Sequence, residues 1–112
     1  MLKRIIFMMN KNNRSFGNKD INMEELKKLQ RDGAIIIDVR SKQEFNEGHL
    51  DNAILLPYYE INKKKIFNMF KDLNKGMVLY CSTGSRSKKA QRKLNYWGYN
   101  NVYNLYGGIE EY

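Results

Sequence analysis

The chain has one cysteine, one proline, one histidine and one tryptophan among its 112 residues. A single cysteine excludes an internal disulfide, and one cysteine with one histidine excludes a structural zinc site. No metal and no cofactor is expected. No apolar run approaches the roughly 18 residues that a membrane-spanning helix needs. Acidic residues are also scarce: 12 Asp and Glu stand against 20 Lys and Arg, for a net charge of +8. An excess of this size taken alone points to an anionic partner. The 14 lysines, however, come with 14 asparagines, which is a general compositional bias. Lys63-Lys64-Lys65 reads as a solvated helix face. The clustering of aromatics with arginine that a single-strand platform uses is missing. Neither a nucleic acid nor a membrane is therefore expected as a partner.

What is present suits one soluble domain. The chain is 42% hydrophobic and 29% charged, long enough to bury a core without a covalent staple. Met1 to Met9 resembles the start of a signal peptide. Its apolar part is short, and Asn10-Lys11-Asn12-Asn13-Arg14 follows with no small-residue cleavage site. Residues 1–17 read as an N-terminal extension and residues 18–112 as the domain, with the cytoplasm as the expected location.

Strands and helices alternate along the rest. Asn22 to Glu25 and Ser41 to Glu44 are capping boxes that open short helices. Ile21, Leu26 and Leu29 supply the apolar side of the first, and Gly33 stops it. Ala34-Ile35-Ile36-Ile37-Asp38 is a continuous apolar run ending on an acid, as in a strand covered on both faces. Ala53 to Leu56 is a further strand, halted by Pro57. Ile66, Phe67, Phe70 and Leu73 give one face of a helix between Ile61 and Leu73. Met77 to Tyr80 is the next strand. Ala90, Leu94 and Trp97 then repeat at helical spacing, and Asn101 to Leu105 closes the pattern as a strand. This order predicts an α/β fold in three layers, a mainly parallel central sheet flanked by helices.

The stretch Cys81-Ser82-Thr83-Gly84-Ser85-Arg86 lies between a strand and a helix start. A lone cysteine is ordinarily a small buried hydrophobe. Here the setting argues for a thiolate. Helix-terminal N–H groups and an adjacent arginine each lower a thiol pKa. Gly84 lets the backbone turn, and Ser82, Thr83 and Ser85 are small and carry hydroxyls. Such a loop suits an anion bonded to sulfur, whether thiosulfate, a persulfide or a phosphoryl group, and covalent catalysis through sulfur. Cys81 is the candidate nucleophile, and Ser82, Thr83, Gly84, Ser85 and Arg86 are the candidate substrate-binding residues.

Three segments carry a resemblance. Ile36 to Arg40 continues through Glu44-Phe45, Gly48-His49-Leu50 and Ala53-Ile54 to Pro57. Tyr80 to Ser87 forms the loop. Gly98 to Val102 and Leu105 to Ile109 close the series. In this order over residues 21–112 they resemble a single-domain rhodanese, of the sulfurtransferase family. The resemblance implies a rhodanese-like fold. It also implies a Cys81 persulfide that moves a sulfane sulfur from a small anionic donor such as thiosulfate to a thiophilic acceptor. Arg86 would attract the donor, and Lys88 and Lys89 would either extend that field or be merely solvated. The alternative is a sulfur-carrier or regulatory module of the same fold with little turnover, docked to a protein donor or acceptor. Phosphatases of this fold have a loop one residue longer between cysteine and arginine. The four residues here match the sulfurtransferase length. His49 reads as a turn residue before a strand. Asp38 and Arg40, at a strand's carboxyl end, either shape the site or pair with each other and with Glu44 to fix the loops, the structural role being favoured, and Tyr80 reads as core. The family usually places a tryptophan after its Gly-Gly, whereas this chain stops at Tyr112. The tail that commonly packs beside the site is therefore expected to be short, with access or stability altered.

Overall fold

The computed structural model describes residues 19–112. The reading of residues 1–17 as an extension lies outside them. The chain runs β1 (Asp20–Ile21), α1 (Met23–Arg31), β2 (Ile35–Asp38), α2 (Lys42–Asn46), β3 (Ile54–Leu55), α3 (Lys63–Met69), β4 (Met77–Tyr80), α4 (Ser85–Tyr96) and β5 (Val102–Leu105). Single 3-10 turns lie at Tyr58–Glu60 and Ile109–Glu111. The five strands form one sheet in the order β1-β5-β4-β2-β3, and every pairing is parallel.

The sheet separates two cores because successive side chains on a strand point to opposite faces. Ile37, Met77 and Leu79 face one way and pack with Ile66 and Phe70 of the α3 segment and Ala90 and Leu94 of α4. Ile36, Val78 and Tyr80 face the other way and pack with Leu26 of α1 and with Leu105. This is the three-layer α/β arrangement expected from the sequence. Both capping boxes form. The side chain of Asn22 accepts from the Glu25 N–H and that of Ser41 from the Glu44 N–H, and each glutamate returns a bond to its cap.

Two expectations are corrected. Ile21 belongs to an edge strand and not to the first helix; Asp20 and Ile21 pair with Asn104 and Leu105. A two-residue strand is too short to show an alternation. The third helix ends at Met69, and Leu73 lies beyond it, 42% exposed. Phe70 turns to extended geometry, φ −128° and ψ 103°, and the buried Tyr99 hydroxyl takes the Ile66 and Phe70 carbonyls. The Ile66 carbonyl also keeps its helical bond from the Phe70 N–H at 2.8 Å, and the Tyr99 hydroxyl serves the carbonyls left at the helix end.

Candidate active site

β4 lies inside the sheet between β5 and β2. The chain moves outward from β2 to β3 on one side and from β4 to β5 on the other. The crevice at the carboxyl ends of β2 and β4 is therefore the switch point where open α/β sheets hold ligands. Tyr80 stands in register with Asp38, and Cys81 follows Tyr80 into that crevice. Gly84, with φ +99°, makes the turn into α4 in a conformation that side chains rarely adopt. Ser85, Arg86 and Ser87 are then the first three helical residues. A helical Cβ tilts toward the N-terminus, so the Ser87 side chain points back to the sulfur.

Cys81 is fully buried. Its Sγ accepts from the Gly84 N–H at 3.1 Å and from the Ser87 N–H at 3.4 Å, and it lies 3.4 Å from Ser87 Oγ. Burial pushes the thiol up. The Ser87 hydroxyl and the N–H groups of Ser87, Gly84 and Thr83 outweigh it, so the thiol lies below its ordinary value. The geometry thus has an acid thiol in a cradle of backbone donors, which suits a sulfur nucleophile.

The loop is held from three sides. On one, Arg86 makes a paired contact with Glu44 of α2, Nη1 to Oε1 at 2.9 Å and Nη2 to Oε2 at 3.1 Å. Ser82 Oγ donates to Glu44 Oε2 at 3.0 Å. Arg86 first, and then the Ser41 N–H, hold the Glu44 carboxyl well below the usual range. On the second side, the N–H groups of Ile109 and Glu110 donate to the carbonyls of Cys81 and Ser82, at 2.9 and 3.0 Å. This approach requires Gly108, where a Cβ would collide with the Ser82 carbonyl. On the third, Ser87 Oγ donates to Asn104 Oδ1 of β5 at 2.6 Å. Asn104 Nδ2 donates in turn to Asp20 of β1 at 3.1 Å, and Lys88 pairs with the same carboxylate oxygen at 2.9 Å.

All six sequence-predicted residues meet in this loop, but their parts differ. Thr83 and Gly84 contribute N–H groups to the sulfur. Ser82 and Arg86 turn their side chains to Glu44. Glu44 therefore does not join Asp38 and Arg40, which pair by themselves at 2.8 Å; Arg40 reaches the Gly48 carbonyl as well. Lys88 is not merely solvated; it pairs with buried Asp20 at 2.9 Å. The closing turn reaches the site through the N–H groups of Ile109 and Glu110. Tyr80 is buried, and its hydroxyl accepts the Leu50 N–H at 3.0 Å. His49 is exposed, stacked on Phe45, with Nδ1 2.9 Å from the Phe45 carbonyl. Sequence reasoning missed Ser87 and Asn104. Ser87 could have been found from its place in the first helical turn; Asn104 had no local signal. Among the described residues, no three His, Cys, Asp or Glu side chains group so as to hold a metal ion, and no helix is long and apolar enough to cross a membrane.

Known proteins bear on this arrangement. The chain is 39% identical over 82 residues to a tRNA uridine(34) hydroxylase of Hamiltonella defensa, covering 70% of this chain and 23% of that protein. A protein of the same name from Buchnera aphidicola is 32% identical over 98 residues, 84% of this chain and 30% of that one. The chain thus spans less than a third of these relatives. Among solved structures, a rhodanese-like domain protein from Staphylococcus aureus is 30% identical with a TM-score of 0.70, covering 82% of this chain and 88% of that one. The human single-domain sulfurtransferase shares the fold, with a TM-score of 0.70 at 24% identity, over 85% of this chain and 95% of that one. The family model of the Rhodanese-like domain matches residues 22–112, from the cap of α1 through the whole loop to Tyr112, and the chain belongs to that family.

Proposed function

We propose that the protein is a sulfurtransferase that works through a Cys81 persulfide. The observation that carries this reading is the seat of Cys81, a buried thiol accepting backbone N–H bonds from Gly84 and Ser87. With thiosulfate as donor, the Cys81 thiolate attacks the outer sulfur. A Cys81–sulfur bond forms, the bond to the sulfonate sulfur breaks, and sulfite leaves with the electron pair. The terminal sulfur of the persulfide keeps one negative charge, and the loop N–H groups suit it. A thiophilic acceptor then attacks that sulfur, and the Cys81 thiolate leaves. Incubation with thiosulfate is expected to add one sulfur atom to the intact mass of the wild type and none to Cys81→Ala. A wild type that gains no sulfur from thiosulfate or from a cysteine-derived persulfide would refute the reading.

A second reading makes the domain part of chemistry on tRNA. The identity to proteins named tRNA uridine(34) hydroxylase favours it, together with α4, which carries five basic side chains and no acidic one. Arg86 and Lys88 are engaged in ion pairs, which leaves Lys89, Arg92 and Lys93 for phosphates. This reading and the solvated face expected from composition divide on one measurement. Salt-dependent tRNA binding that weakens in Lys89→Ala/Arg92→Ala supports the RNA reading. Absence of binding at low salt removes it.

A further inference from the structure

Behind the nucleophile runs a buried polar chain: Cys81 Sγ, Ser87 Oγ, Asn104, Asp20. Ser87, Asn104 and Asp20 are 0, 2 and 4% exposed. The order of donors along it can be read from the far end. A carboxylate only accepts, so Asn104 must present its Nδ2 to Asp20, and Lys88 holds the same Asp20 oxygen from the other side. That fixes the amide: Oδ1 of Asn104 faces Ser87. The 2.6 Å separation fits an O–H···O bond with Ser87 as donor. Ser87 has one hydroxyl proton and three acceptors around it. Asn104 Oδ1 is at 2.6 Å, the Gly84 carbonyl at 3.2 Å and Cys81 Sγ at 3.4 Å. The proton goes to Asn104, and Ser87 Oγ offers the sulfur a lone pair.

We propose that Asp20 and Asn104 are positioning residues that hold the Ser87 hydroxyl proton away from Cys81 while the sulfur is a thiol, and that the hydroxyl rotates to donate to the sulfur when the thiol loses its proton. In the resting state Cys81 S–H donates to Ser87 Oγ, Ser87 to Asn104, and Asn104 to Asp20. On ionisation the thiol proton leaves to solvent. The Ser87 proton stays on its own oxygen and only changes direction, from Asn104 Oδ1 to Sγ. A persulfide has no proton on Sγ either and favours the same rotated hydroxyl. Asn104 therefore competes with the sulfur for one proton, and the competition sets how readily the resting thiol becomes a nucleophile.

Three ion pairs stand around the loop and need not change. Arg86 pairs with Glu44 of α2, Arg40 with Asp38 at the end of β2, and Lys88 with Asp20 of β1. Glu110 and Glu111 lie on the closing turn. Asn104→Leu alters none of these charges while it removes the competitor. It is expected to lower the midpoint of Cys81 ionisation by about one unit, the worth of one hydrogen bond. The midpoint can be followed by thiolate absorbance, since the chain has one cysteine. In a Ser87→Ala background the same substitution is expected to shift nothing, because Asn104 acts through Ser87. An unchanged or raised midpoint in Asn104→Leu, or an equal drop in both backgrounds, would overturn the proposal.

A reading independent of Asn104→Leu comes from the intact protein. The Asn104 side-chain amide resonance is expected to move through the Cys81 titration in the wild type and to stay still in Ser87→Ala. A silent amide in the wild type, or the same movement without Ser87, also overturns the proposal. The inference depends on Cys81 as the reacting group and not on the sulfur donor. A protein that never gains sulfur from a donor yet shows these couplings would refute the sulfurtransferase reading and leave the proton switch standing.

Discussion

Gly108→Ala separates two costs that glycines usually combine. Gly108 sits at φ +72° and ψ −179°, a region almost confined to glycine. Placing a side chain there costs about 1–3 kcal/mol in backbone strain. Its Cβ would also collide with the Ser82 carbonyl and lie 2.6 Å from the Thr83 nitrogen. Both are backbone atoms of the sulfur loop, so no side-chain rotation relieves the clash. The tail must move away, and with it go the bonds from Ile109 and Glu110 to the Cys81 and Ser82 carbonyls. At about 1 kcal/mol each these add roughly 2, for a total of about 3–5 kcal/mol. Gly33 is the control: its φ is +104°, but nothing lies within 4 Å of an added Cβ. Gly33→Ala should cost about 1–2 kcal/mol, from strain alone. Urea unfolding measures both. The rate of mass gain with thiosulfate measures the loop, which an ångström-scale displacement should slow by about 100-fold in Gly108→Ala. Gly33→Ala should react at the wild-type rate. If Gly108→Ala unfolds with Gly33→Ala and reacts like the wild type, the tail does not brace the loop.

Ser87→Ala leaves Asn104 Oδ1 without its shortest partner in a buried place, an expected loss of about 1–3 kcal/mol in urea. The thiolate loses a donor as well, so the Cys81 ionisation midpoint should rise relative to the wild type. In the wild type that midpoint should fall below the roughly 8.5 of a free cysteine. Glu44 titrates low in the folded state, so its contribution is fully present above its ordinary value of 4.5 and is lost as pH falls toward the much lower folded value. Acid unfolding of Glu44→Gln should accordingly be shallower below about pH 4.5 than that of the wild type. Lys88→Met strips a buried carboxylate of a cation. With Lys88 26% exposed, the expected cost in thermal unfolding is discounted to roughly 1–3 kcal/mol.

The parts of the fold that were legible are those whose signal is local. The two capping boxes, the apolar runs of β2 and β4 and the start of α4 all declare themselves within a few residues. β1 did not, because two residues carry no period, and its strand identity comes from β5, more than eighty positions away in the chain. The end of α3 was hidden for a similar reason. Phe70 and Leu73 continue the helical spacing, but Phe70 turns extended and its carbonyl is met by Tyr99 from a distant segment. In the site, the contiguous loop from Cys81 to Arg86 could be read directly. Glu44, Asn104, Asp20 and Gly108 reach it from four other segments, and nothing in the linear order of residues pairs them with it.

The pairing of Glu44 with Arg86 changes where the loop's positive character comes from. A free arginine beside the thiol would make the side-chain charge the main attraction for an anionic donor. Here a carboxylate already engages both terminal nitrogens of that guanidinium. The donors that face the sulfur directly are main-chain N–H groups, which cannot be titrated away and are set by the turn at Gly84. Arg86 and Glu44, each about a third exposed, form a matched pair beside them. Glutamate at this position serves three partners at once: its own helix cap at Ser41, the Ser82 hydroxyl and Arg86. It therefore ties the geometry of the loop to the folding of α2.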